Sequence, residues 1–214
     1  MRGGRRGHPL DQGNALIAVC DYGMGNLHSV SRALAHVGGQ VEVTTDPAVA
    51  RTADALVVPG VGAFGACMAG LRQAGFDAVI HDFVGAERPL LGVCIGLQVL
   101  FEGSDESPDS SGVGVLPGRV VALPATEKIP HMGWNEVRWN GDHVLTRGVP
   151  DGTRMYFVHS YAAPVGEDTV GVTDYGMPFS AAVSRGSLFA TQFHPEKSGD
   201  PGLAIYEAFV KECA

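Results

Sequence analysis

Apolar and polar residues alternate in blocks along the first hundred positions. Continuous apolar runs at 15–20 and 55–58 predict strands that are buried on both faces. Between them, apolar residues recur at helical spacing across 27–37, and a pair of glycines ends this predicted helix. Further elements are predicted at 41–44 (strand), 66–73 and 76–84 (helices) and 90–93 (strand). This order predicts an α/β fold, with an open, mostly parallel twisted sheet and helices on both faces.

The pattern changes after position 102. The segment 103–112 is polar and acidic and predicts a mobile surface loop. From 113 to 192, strand-like runs follow one another, most of them through short turns, which predicts an antiparallel extension of the sheet. These predicted strands lie at 113–123, 134–139, 154–161, 170–173, 181–184 and 188–193. An amphipathic helix with a proline in its first turn is predicted at 201–211.

Length and composition limit the possible classes of protein. The chain has 214 residues, of which 45% are hydrophobic, enough for one domain with a complete core. Residues 1–14 are basic and glycine-rich without the apolar segment of a secretory signal, so we expect a disordered leader and a single domain at 15–214. The net charge of −8 argues against nucleic acid as the main partner, and no apolar run is long enough to span a membrane. The cysteines include no Cys-x-x-Cys pair, which favours reduced thiols in a cytoplasmic protein.

The predicted strand at 90–93 ends at Cys94, which lies between Gly92 and Gly96. The apolar positions 97 and 99–101 predict the start of a helix with an apolar face after it. A strand that turns sharply into a helix, with a nucleophile at the bend, is the geometry known for Gly-x-Ser-x-Gly sequences. Glycines suit such a bend because it crowds the backbone, and the N-terminus of the following helix favours a thiolate. The pattern therefore predicts a nucleophilic cysteine. The alternative is a buried core cysteine at the end of a central strand.

Two residues near the C-terminus complete a candidate catalytic set. His194 follows the predicted strand at 188–193, and Glu196 lies two residues further on, beyond Pro195. Reactive groups collect at the carboxyl ends of strands in an open α/β sheet, so we expect His194 at the same edge as Cys94. The carboxylate can hold one imidazole nitrogen and direct the other toward the thiol. The alternative is that His194 is a capping or core histidine beside a proline turn.

A second histidine, His159, lies in the alternating segment 156–161 and has no adjacent carboxylate. We expect it to be structural or to line a substrate site. A zinc site formed by Cys94, His194 and His159 is a weaker hypothesis, because no pair of them has the close spacing of zinc ligands.

Acylation of a cysteine also needs hydrogen-bond donors for the oxyanion. Gly60, Val61 and Gly62 follow a predicted strand whose end we expect beside the bend, where glycines allow N–H groups to point into the site. The N–H of Ile95, directly after the cysteine, is the other candidate donor. The alternative is an ordinary glycine-rich turn. The turn at 23–26 could cradle a phosphate, but it lacks a lysine, and we favour an ordinary turn there.

Together the motifs resemble the triad-type, class-I glutamine amidotransferases. The resemblance is carried by Gly92-Val93-Cys94-Ile95-Gly96-Leu97-Gln98, by Pro59-Gly60-Val61-Gly62 and by His194-Pro195-Glu196. Further segments resemble one branch of that family, the glutaminase subunits of imidazole glycerol phosphate synthases, and the likeness covers nearly all of 15–214. These segments are 21–27, 59–64, 131–135, 156–161 and 193–198. The leader before residue 15 and a longer acidic loop at 103–112 depart from the family pattern.

The resemblance implies a flavodoxin-like fold and a reaction. Cys94 would attack the side-chain amide of glutamine, and His194, oriented by Glu196, would protonate the departing ammonia and then activate a water that splits the thioester. Substrate-binding residues are implied at Gln98, His159, Ser160 and Tyr161. The Gly60–Val61 peptide is expected to reorient so that an N–H faces the oxyanion. The family needs no cofactor and no metal for this reaction.

The resemblance also implies a partner, a cyclase subunit with an eightfold βα barrel that forms a 1:1 heterodimer and receives the ammonia. Trp134 lies in a segment that we expect to be an exposed loop, and exposed tryptophans are favoured interface anchors. By analogy, Tyr156 and Lys197 are placed at the rim of the interface. The alternative is that Trp134 covers the core of its own domain.

Two other functions remain open from the sequence. The first is a glutaminase domain of another pathway, such as anthranilate or guanylate synthesis, although we would not expect the segments at 23–26 and 131–134 there. The second is a subunit without enzymatic activity that only binds a partner. Such a subunit should have lost a member of the triad, whereas Cys94, His194 and Glu196 are all present.

Overall fold

The structure, a computed structural model, describes residues 15–213. The first half alternates strands and helices: β1 (Leu16–Cys20), α1 (Leu27–His36), β2 (Gln40–Thr44), α2 (Pro47–Thr52), β3 (Ala55–Gly60), α3 (Phe64–Ala74), α4 (Phe76–Gly85), β4 (Leu90–Cys94) and α5 (Ile95–Gln98). The second half consists mainly of strands: β5 (Gly103–Ser104), β6 (Arg119–Ala122), β7 (His131–Trp139), β8 (Thr153–His159), β9 (Tyr161–Ala162), β10 (Thr169–Asp174), β11 (Pro178–Arg185), β12 (Leu188–Thr191) and α6 (Gly199–Glu212). Short 3-10 helices lie at Val144–Thr146 and Pro195–Lys197.

One nine-stranded sheet organises these elements, in the order β2-β1-β3-β4-β12-β11-β10-β7-β8. The pairs from β2 to β12 are parallel, and the pairs from β12 to β8 are antiparallel. β5, β6 and β9 form a separate small sheet. The predicted fold class, a mostly parallel sheet with an antiparallel extension, is therefore confirmed.

The central strands lie in the core because they are apolar without interruption. Every residue of β3 and of β4 is buried, as expected for strands covered on both faces. The helices pack in two groups: α1 against α6, and α4 against both α2 and α3. Two helix layers thus shield the parallel half of the sheet and leave its carboxyl edge for the loops that follow β3, β4 and β12.

The helix after the bend is shorter than its apolar pattern predicts. The pattern continued to Phe101, but α5 ends at Gln98. Beyond it the chain tightens into three-residue hydrogen-bonded turns, in which Leu100 N donates to Leu97 O (3.2 Å) and Phe101 N to Gln98 O (3.2 Å). The apolar residues are buried as expected, but in turns rather than in a helix.

The acidic segment 103–112 was predicted as a mobile loop, and the structure corrects this. It begins with β5, and its side chains bind the start of α3. Glu106 Oε2 accepts a hydrogen bond from Phe64 N (2.7 Å), and Ser107 Oγ accepts one from Gly65 N (3.2 Å). The first N–H groups of a helix lack partners within the helix, and a carboxylate there also interacts favourably with the helix dipole.

Other strand limits also differ. The strand predicted at 113–123 is confined to β6, and the strand predicted at 154–161 is divided into β8 and β9. α2 was not predicted; Pro47 begins it, and Asp46 caps it by accepting a hydrogen bond from Ala48 N (2.8 Å). The predicted leader at 1–14 lies outside the described residues, and the single domain at 15–214 stays a prediction. Within 15–213, no helix is both long and apolar enough to cross a membrane.

Candidate active site

Cys94 occupies a strained bend between β4 and α5. Its backbone has φ 58° and ψ −112°, a conformation that side chains with a Cβ rarely adopt. The flanking glycines are required by space: a Cβ at Gly96 would lie 1.8 Å from Val58 O, and one at Gly92 would lie 2.6 Å from Gly96 O. The predicted sharp turn is therefore present, with the cysteine at its tip.

His194 and Glu196 lie one strand away from the bend. β12 pairs in parallel with β4, with Thr191 opposite Val93, so the loop after β12 emerges beside Cys94. His194 Nδ1 donates a hydrogen bond of 2.8 Å to Glu196 Oε1, and the two side chains are only 2% and 1% exposed. His194 Nε2 is buried and has no hydrogen-bond partner within 15–213. The free nitrogen is therefore available to the thiol or to a substrate.

The surroundings of this pair determine its protonation. Burial alone lowers the pKa of His194, but the nearby Cys94 and the hydrogen bond and charge of Glu196 outweigh this effect and raise the pKa from 6.5 to about 9. Burial likewise acts to raise the pKa of Glu196, yet its hydrogen bond and charge interaction with His194 lower it overall. At neutral pH the site therefore holds an imidazolium beside a carboxylate, a form that can give a proton to a leaving group.

Two residues that sequence reasoning did not select hold the carboxylate. Tyr206 donates from its hydroxyl to Glu196 Oε2 (3.3 Å), and Asn26 Nδ2 lies 3.5 Å from Glu196 Oε1. Asn26 belongs to the turn at 23–26, for which we favoured an ordinary turn. Its position after β1, at the carboxyl edge of the sheet, was the available signal. Tyr206 comes from α6, and no local pattern distinguishes it from a core residue.

A cavity of about 390 Å³ lies in front of the thiol, within the range of small-molecule sites. It brings together most of the predicted site residues. It is lined by Val61, Gly62, Cys94, Ile95, Gln98, Glu106, Pro130, Val158, His159, Ser160, Tyr161, His194 and Lys197.

Another part of the cavity wall is built around Gln98, which is buried. Its Nε2 donates to Tyr161 O (2.9 Å) and to Gln192 Oε1 (2.9 Å), and its Oε1 has no partner within the described residues. Gln192 Nε2 in turn lies 3.9 Å from Cys94 Sγ. Gln192 was not among the predicted site residues, but it lies two positions before His194, and alternation along an extended segment places such residues on one face.

The candidate oxyanion segment is held from its buried side. Gly60 lies opposite Cys94 in the register of β3 and β4. On either side of it, Tyr22 donates from its hydroxyl to Pro59 O (2.5 Å), and Cys67 Sγ donates to Val61 O (3.4 Å). Burial raises the pKa of Tyr22 far above its usual range and that of Cys67 to about 11, so both remain neutral donors. Two carbonyls are thus anchored, one before and one after the Gly60–Val61 peptide.

The second candidate oxyanion donor is the N–H of Ile95, a residue that lines the same cavity. Ile95 begins α5, and the first N–H groups of a helix have no acceptor within the helix. Gly60 allows the close approach of β3 to this helix, because a Cβ there would lie 2.9 Å from Gly96 N and 2.9 Å from the Tyr22 hydroxyl.

His159 lines the cavity and is tied to the backbone. Its Nδ1 donates to Tyr161 O (2.8 Å), and its Nε2 lies 2.9 Å from His131 Nδ1. Burial lowers the pKa of His159 to about 3, so the ring is neutral. Within 15–213, no group of three or more histidine, cysteine, aspartate or glutamate side chains is arranged to hold a metal ion.

Comparison with known proteins shows the family of this chain. The chain matches the model of the class-I glutamine amidotransferases over residues 18–213. The chain belongs to the class-I glutamine amidotransferases.

The relatives of this amidotransferase narrow the assignment to one branch. The imidazole glycerol phosphate synthase subunit HisH of Moorella thermoacetica is 50% identical over 195 residues, 90% of this chain and 93% of the relative. The protein of that name in Mycolicibacterium paratuberculosis is 52% identical over 200 residues, 91% of this chain and 97% of the relative. The protein of that name in Mycobacterium tuberculosis is 51% identical over 199 residues, 91% of this chain and 96% of the relative. The predicted enzyme class and function, the glutaminase subunit of an imidazole glycerol phosphate synthase, are thereby confirmed.

Solved structures of lower sequence identity show the same fold. A crystal structure of a glutamine amidotransferase superposes with a TM-score of 0.72 at 21% identity, covering 92% of this chain and 98% of that chain. PurLQS from Thermotoga maritima superposes with a TM-score of 0.74 at 18% identity, covering 94% of this chain and 100% of that chain.

One surface of this amidotransferase carries exposed apolar side chains. Trp134 is 52% exposed and Met132 is 63% exposed, so Trp134 does not cover the core. The segment predicted as a loop forms the first half of β7 instead, where Trp134 lies opposite Tyr156 of β8. The two rings meet edge to face with centroids 6.1 Å apart, and Lys197 Nζ lies 5.8 Å from the centroid of the Tyr156 ring. The three residues predicted at the interface therefore lie side by side.

Proposed function

We propose that Cys94, His194 and Glu196 form the triad with which this subunit hydrolyses L-glutamine, and that the ammonia passes to a cyclase subunit. The observation that carries the proposal is the buried His194–Glu196 pair beside a cysteine on a strained bend, with Cys94 and His194 lining one cavity. Nucleophile, proton carrier and orienting group are the parts that thiol-based amide hydrolysis needs.

The reaction begins when Cys94 Sγ, as a thiolate whose proton is held by His194 Nε2, attacks the side-chain amide carbon of glutamine and forms a carbon–sulfur bond and an oxyanion. His194 Nε2 gives its proton to the amide nitrogen, the carbon–nitrogen bond breaks, and ammonia leaves. A water molecule, deprotonated by His194, then attacks the thioester carbonyl. The carbon–sulfur bond breaks, glutamate leaves, and the cysteine is restored. Glu196 stays ionised throughout, keeps the imidazole oriented and stabilises its positive charge.

Gln98 is suited to orient the glutamine. Both hydrogens of its amide nitrogen are used by Tyr161 O and Gln192 Oε1, so the unpartnered Oε1 needs a donor from the ligand. The α-ammonium group of glutamine is such a donor. The backbone at His159, Ser160 and Tyr161 forms the adjoining wall.

Ile95 N–H is one proposed donor to the oxyanion, and the reoriented Gly60–Val61 peptide, with Gly62 beside it, supplies the other. The hydrogen bonds from Tyr22 to Pro59 and from Cys67 to Val61 support this proposal, because they anchor the chain on both sides of the peptide that has to turn. A local reorientation then changes one hydrogen-bond donor without moving β3.

The proposed partner is a cyclase subunit with an eightfold βα barrel, in a 1:1 heterodimer. The surface of Trp134, Met132, Tyr156 and Lys197 is proposed as the contact region, because exposed tryptophan and methionine are favoured interface anchors. Lys197 also lines the cavity, so this surface adjoins the exit of the glutamine site. We place the protein in the cytoplasm, where the free thiols of Cys20, Cys67, Cys94 and Cys213 remain reduced.

The test is the variant Cys94→Ala in the complete complex. We expect glutamine-dependent synthesis to fall by about three orders of magnitude or more, because the nucleophile is lost. Synthesis supplied with ammonium salt should stay at the normal rate, because the cyclase then needs no glutaminase. Cys20→Ala, a buried cysteine outside the cavity, is the control for loss of a thiol. Retained glutamine-dependent activity in Cys94→Ala would overturn the catalytic assignment, and loss of both activities would overturn the channelling role.

A further inference from the structure

Two buried histidines outside the proposed triad form a direct hydrogen bond. His131 lies in β7 and His159 in β8, opposite each other in the register of the two strands. His131 Nδ1 and His159 Nε2 are 2.9 Å apart, and the residues are 3% and 6% exposed. Stacking holds the His131 ring, with Tyr175 at 4.0 Å and Phe157 at 5.0 Å between centroids. The proposed reaction uses the proton of neither ring.

The direction of every hydrogen bond along this pair is determined. A carbonyl only accepts, so His159 Nδ1 donates to Tyr161 O at 2.8 Å. In the neutral ring His159 Nε2 is then an acceptor, and His131 Nδ1 must be the donor. His131 Nε2 is left as an acceptor and faces Asn135 Nδ2 at 3.3 Å. Burial lowers the pKa of His131 to about 4 and that of His159 to about 3, so both rings keep these tautomers at neutral pH.

The inner end of this chain meets the glutamine cavity at one carbonyl. Tyr161 O accepts from His159 Nδ1 and also from Gln98 Nε2 at 2.9 Å. A carbonyl oxygen has two lone pairs, and both are used here. The position of this carbonyl therefore decides where Gln98 directs its unpartnered Oε1.

The outer end of the chain lies at a second cavity. This cavity has a volume of about 440 Å³ and is lined by His131, Trp134 and Asn135, among others. His159 lines the first cavity, so the two imidazoles cross the wall between the glutamine site and the surface that carries Trp134.

We propose that His131 and His159 are positioning residues, which hold the Tyr161 carbonyl and through it align Gln98 to bind glutamine. The inference rests on the proposed function, since it concerns the affinity of that same site. Neither ring touches the reacting atoms: the pair acts through a backbone carbonyl and a glutamine side chain. Its loss should therefore weaken glutamine binding more than it slows the chemistry.

The experiment compares two substitutions of His131 in the complete complex with the cyclase. His131→Phe keeps an aromatic ring for stacking but removes both nitrogens. His131→Asn places an amide nitrogen near the former Nδ1 and can still donate to His159. We expect His131→Phe to raise KM for glutamine roughly tenfold with kcat changed less than about threefold, the pattern of lost binding. His131→Asn should recover most of the loss.

Further variants separate positioning from a general loss of packing. His143→Phe, the same exchange in the antiparallel half but outside the cavity, should leave KM unchanged. His159→Leu should raise KM at least as much as His131→Phe, whereas His159→Asn, which keeps a donor near Tyr161 O, should recover part of it. If His131→Phe fails to form a stable complex, the two His159 variants provide the same comparison.

Equal KM values in His131→Phe and His131→Asn, whether normal or equally raised, would overturn the proposal. The hydrogen bond from residue 131 to His159 would then not decide the affinity for glutamine. A fall in kcat at unchanged KM would also overturn it. The Cys94→Ala result stands apart from these outcomes. Loss of activity in Cys94→Ala with unchanged KM in His131→Phe would reject only the positioning role, whereas an active Cys94→Ala would reject the proposed catalysis itself.

Discussion

Two buried histidines on the wall of one cavity have opposite properties. Burial disfavours the charged form of both rings, yet the pKa of His194 is raised to about 9 and that of His159 is lowered to about 3. The difference lies in their partners. His194 donates to a carboxylate and lies beside a thiol, whereas His159 is bonded to a neutral imidazole and a backbone carbonyl. A cysteine and a carboxylate beside a buried histidine keep it protonated, whereas a buried histidine without them stays neutral.

The strongest test of this contrast is to remove each imidazole in turn. His194→Ala removes the proposed proton donor for ammonia and the proposed base for water, so we expect kcat for glutamine hydrolysis to fall by about 10⁴. His159→Leu should act mainly through KM. Steady-state kinetics of the complete complex measures both. A comparable loss of kcat in the two variants would remove the distinction between the histidines.

The next test removes the negative charge of Glu196, the hydrogen-bond partner of His194, but keeps the shape of its side chain. In Glu196→Gln the pKa of His194 should fall from about 9, because only the interaction with Cys94 would then oppose the effect of burial. We expect turnover to fall roughly a thousandfold, since orientation and stabilisation of the imidazolium are lost together. NMR titration of the ring and single-turnover kinetics measure the two effects. Glu207→Gln, an exposed carboxylate on α6, is the matched control. A loss of less than about tenfold would contradict the role of Glu196.

The two kinds of histidine also act on stability at opposite ends of the pH scale. His131 and His159 have pKa values lowered to about 4 and about 3 in the folded protein, so the unfolded chain binds protons first as the pH falls below 6.5. Each should therefore cost about 2 kcal/mol of unfolding free energy between pH 7 and pH 5.

His194, with its raised pKa, contributes stability that is fully present below pH 6.5 and is lost as the pH rises through about 9. Urea denaturation at pH 5, 7 and 9.5 measures both limbs. His131→Phe should flatten the acid limb and leave the alkaline limb unchanged, whereas Glu196→Gln should flatten the alkaline limb. An acid limb that is unchanged in His131→Phe would show that this ring is not held neutral.

The smallest expected effect concerns the exposed surface around Trp134, which adjoins His131. Trp134→Ala should weaken association with the cyclase subunit by roughly 2 kcal/mol if the ring is an anchor of the interface. Val165→Ala removes an exposed apolar side chain elsewhere and should leave the affinity unchanged. Titration calorimetry of the two subunits gives the dissociation constants. Equal affinities for Trp134→Ala and the unsubstituted protein would place the contact surface elsewhere.

The sequence predicts much of the fold and the charged half of the site, because these depend on short-range patterns. Uninterrupted apolar runs indicate β3 and β4 as buried strands. The glycines around Cys94 indicate a crowded bend, and the spacing from His194 to Glu196 lets a side chain reach back to the ring two residues before it. The limits of β6 and α5 were wrong, because apolar residues are buried equally well in turns.

The contact between the neutral rings of His131 and His159 could not be predicted in the same way. His131 and His159 are 28 residues apart along the chain, and nothing in either local segment shows that their rings meet. Asn26 and Tyr206 likewise meet Glu196 from α1's preceding turn and from α6. Gln192 could be predicted in part. Its spacing of two residues from His194 places both on one face of an extended segment, but its hydrogen bond with Gln98 could not be predicted.

The sequence by itself determined the α/β architecture, the strained bend at Cys94 and the histidine–glutamate pair, since each is encoded by residues within one element or one turn. Only the tertiary structure decided that His159 lies against His131 and keeps a neutral ring, and how the residues around Gln98 are arranged. The physical reason is that a buried ring takes its protonation from whatever packs against it. Those neighbours come from strands and helices that only the folded sheet brings together.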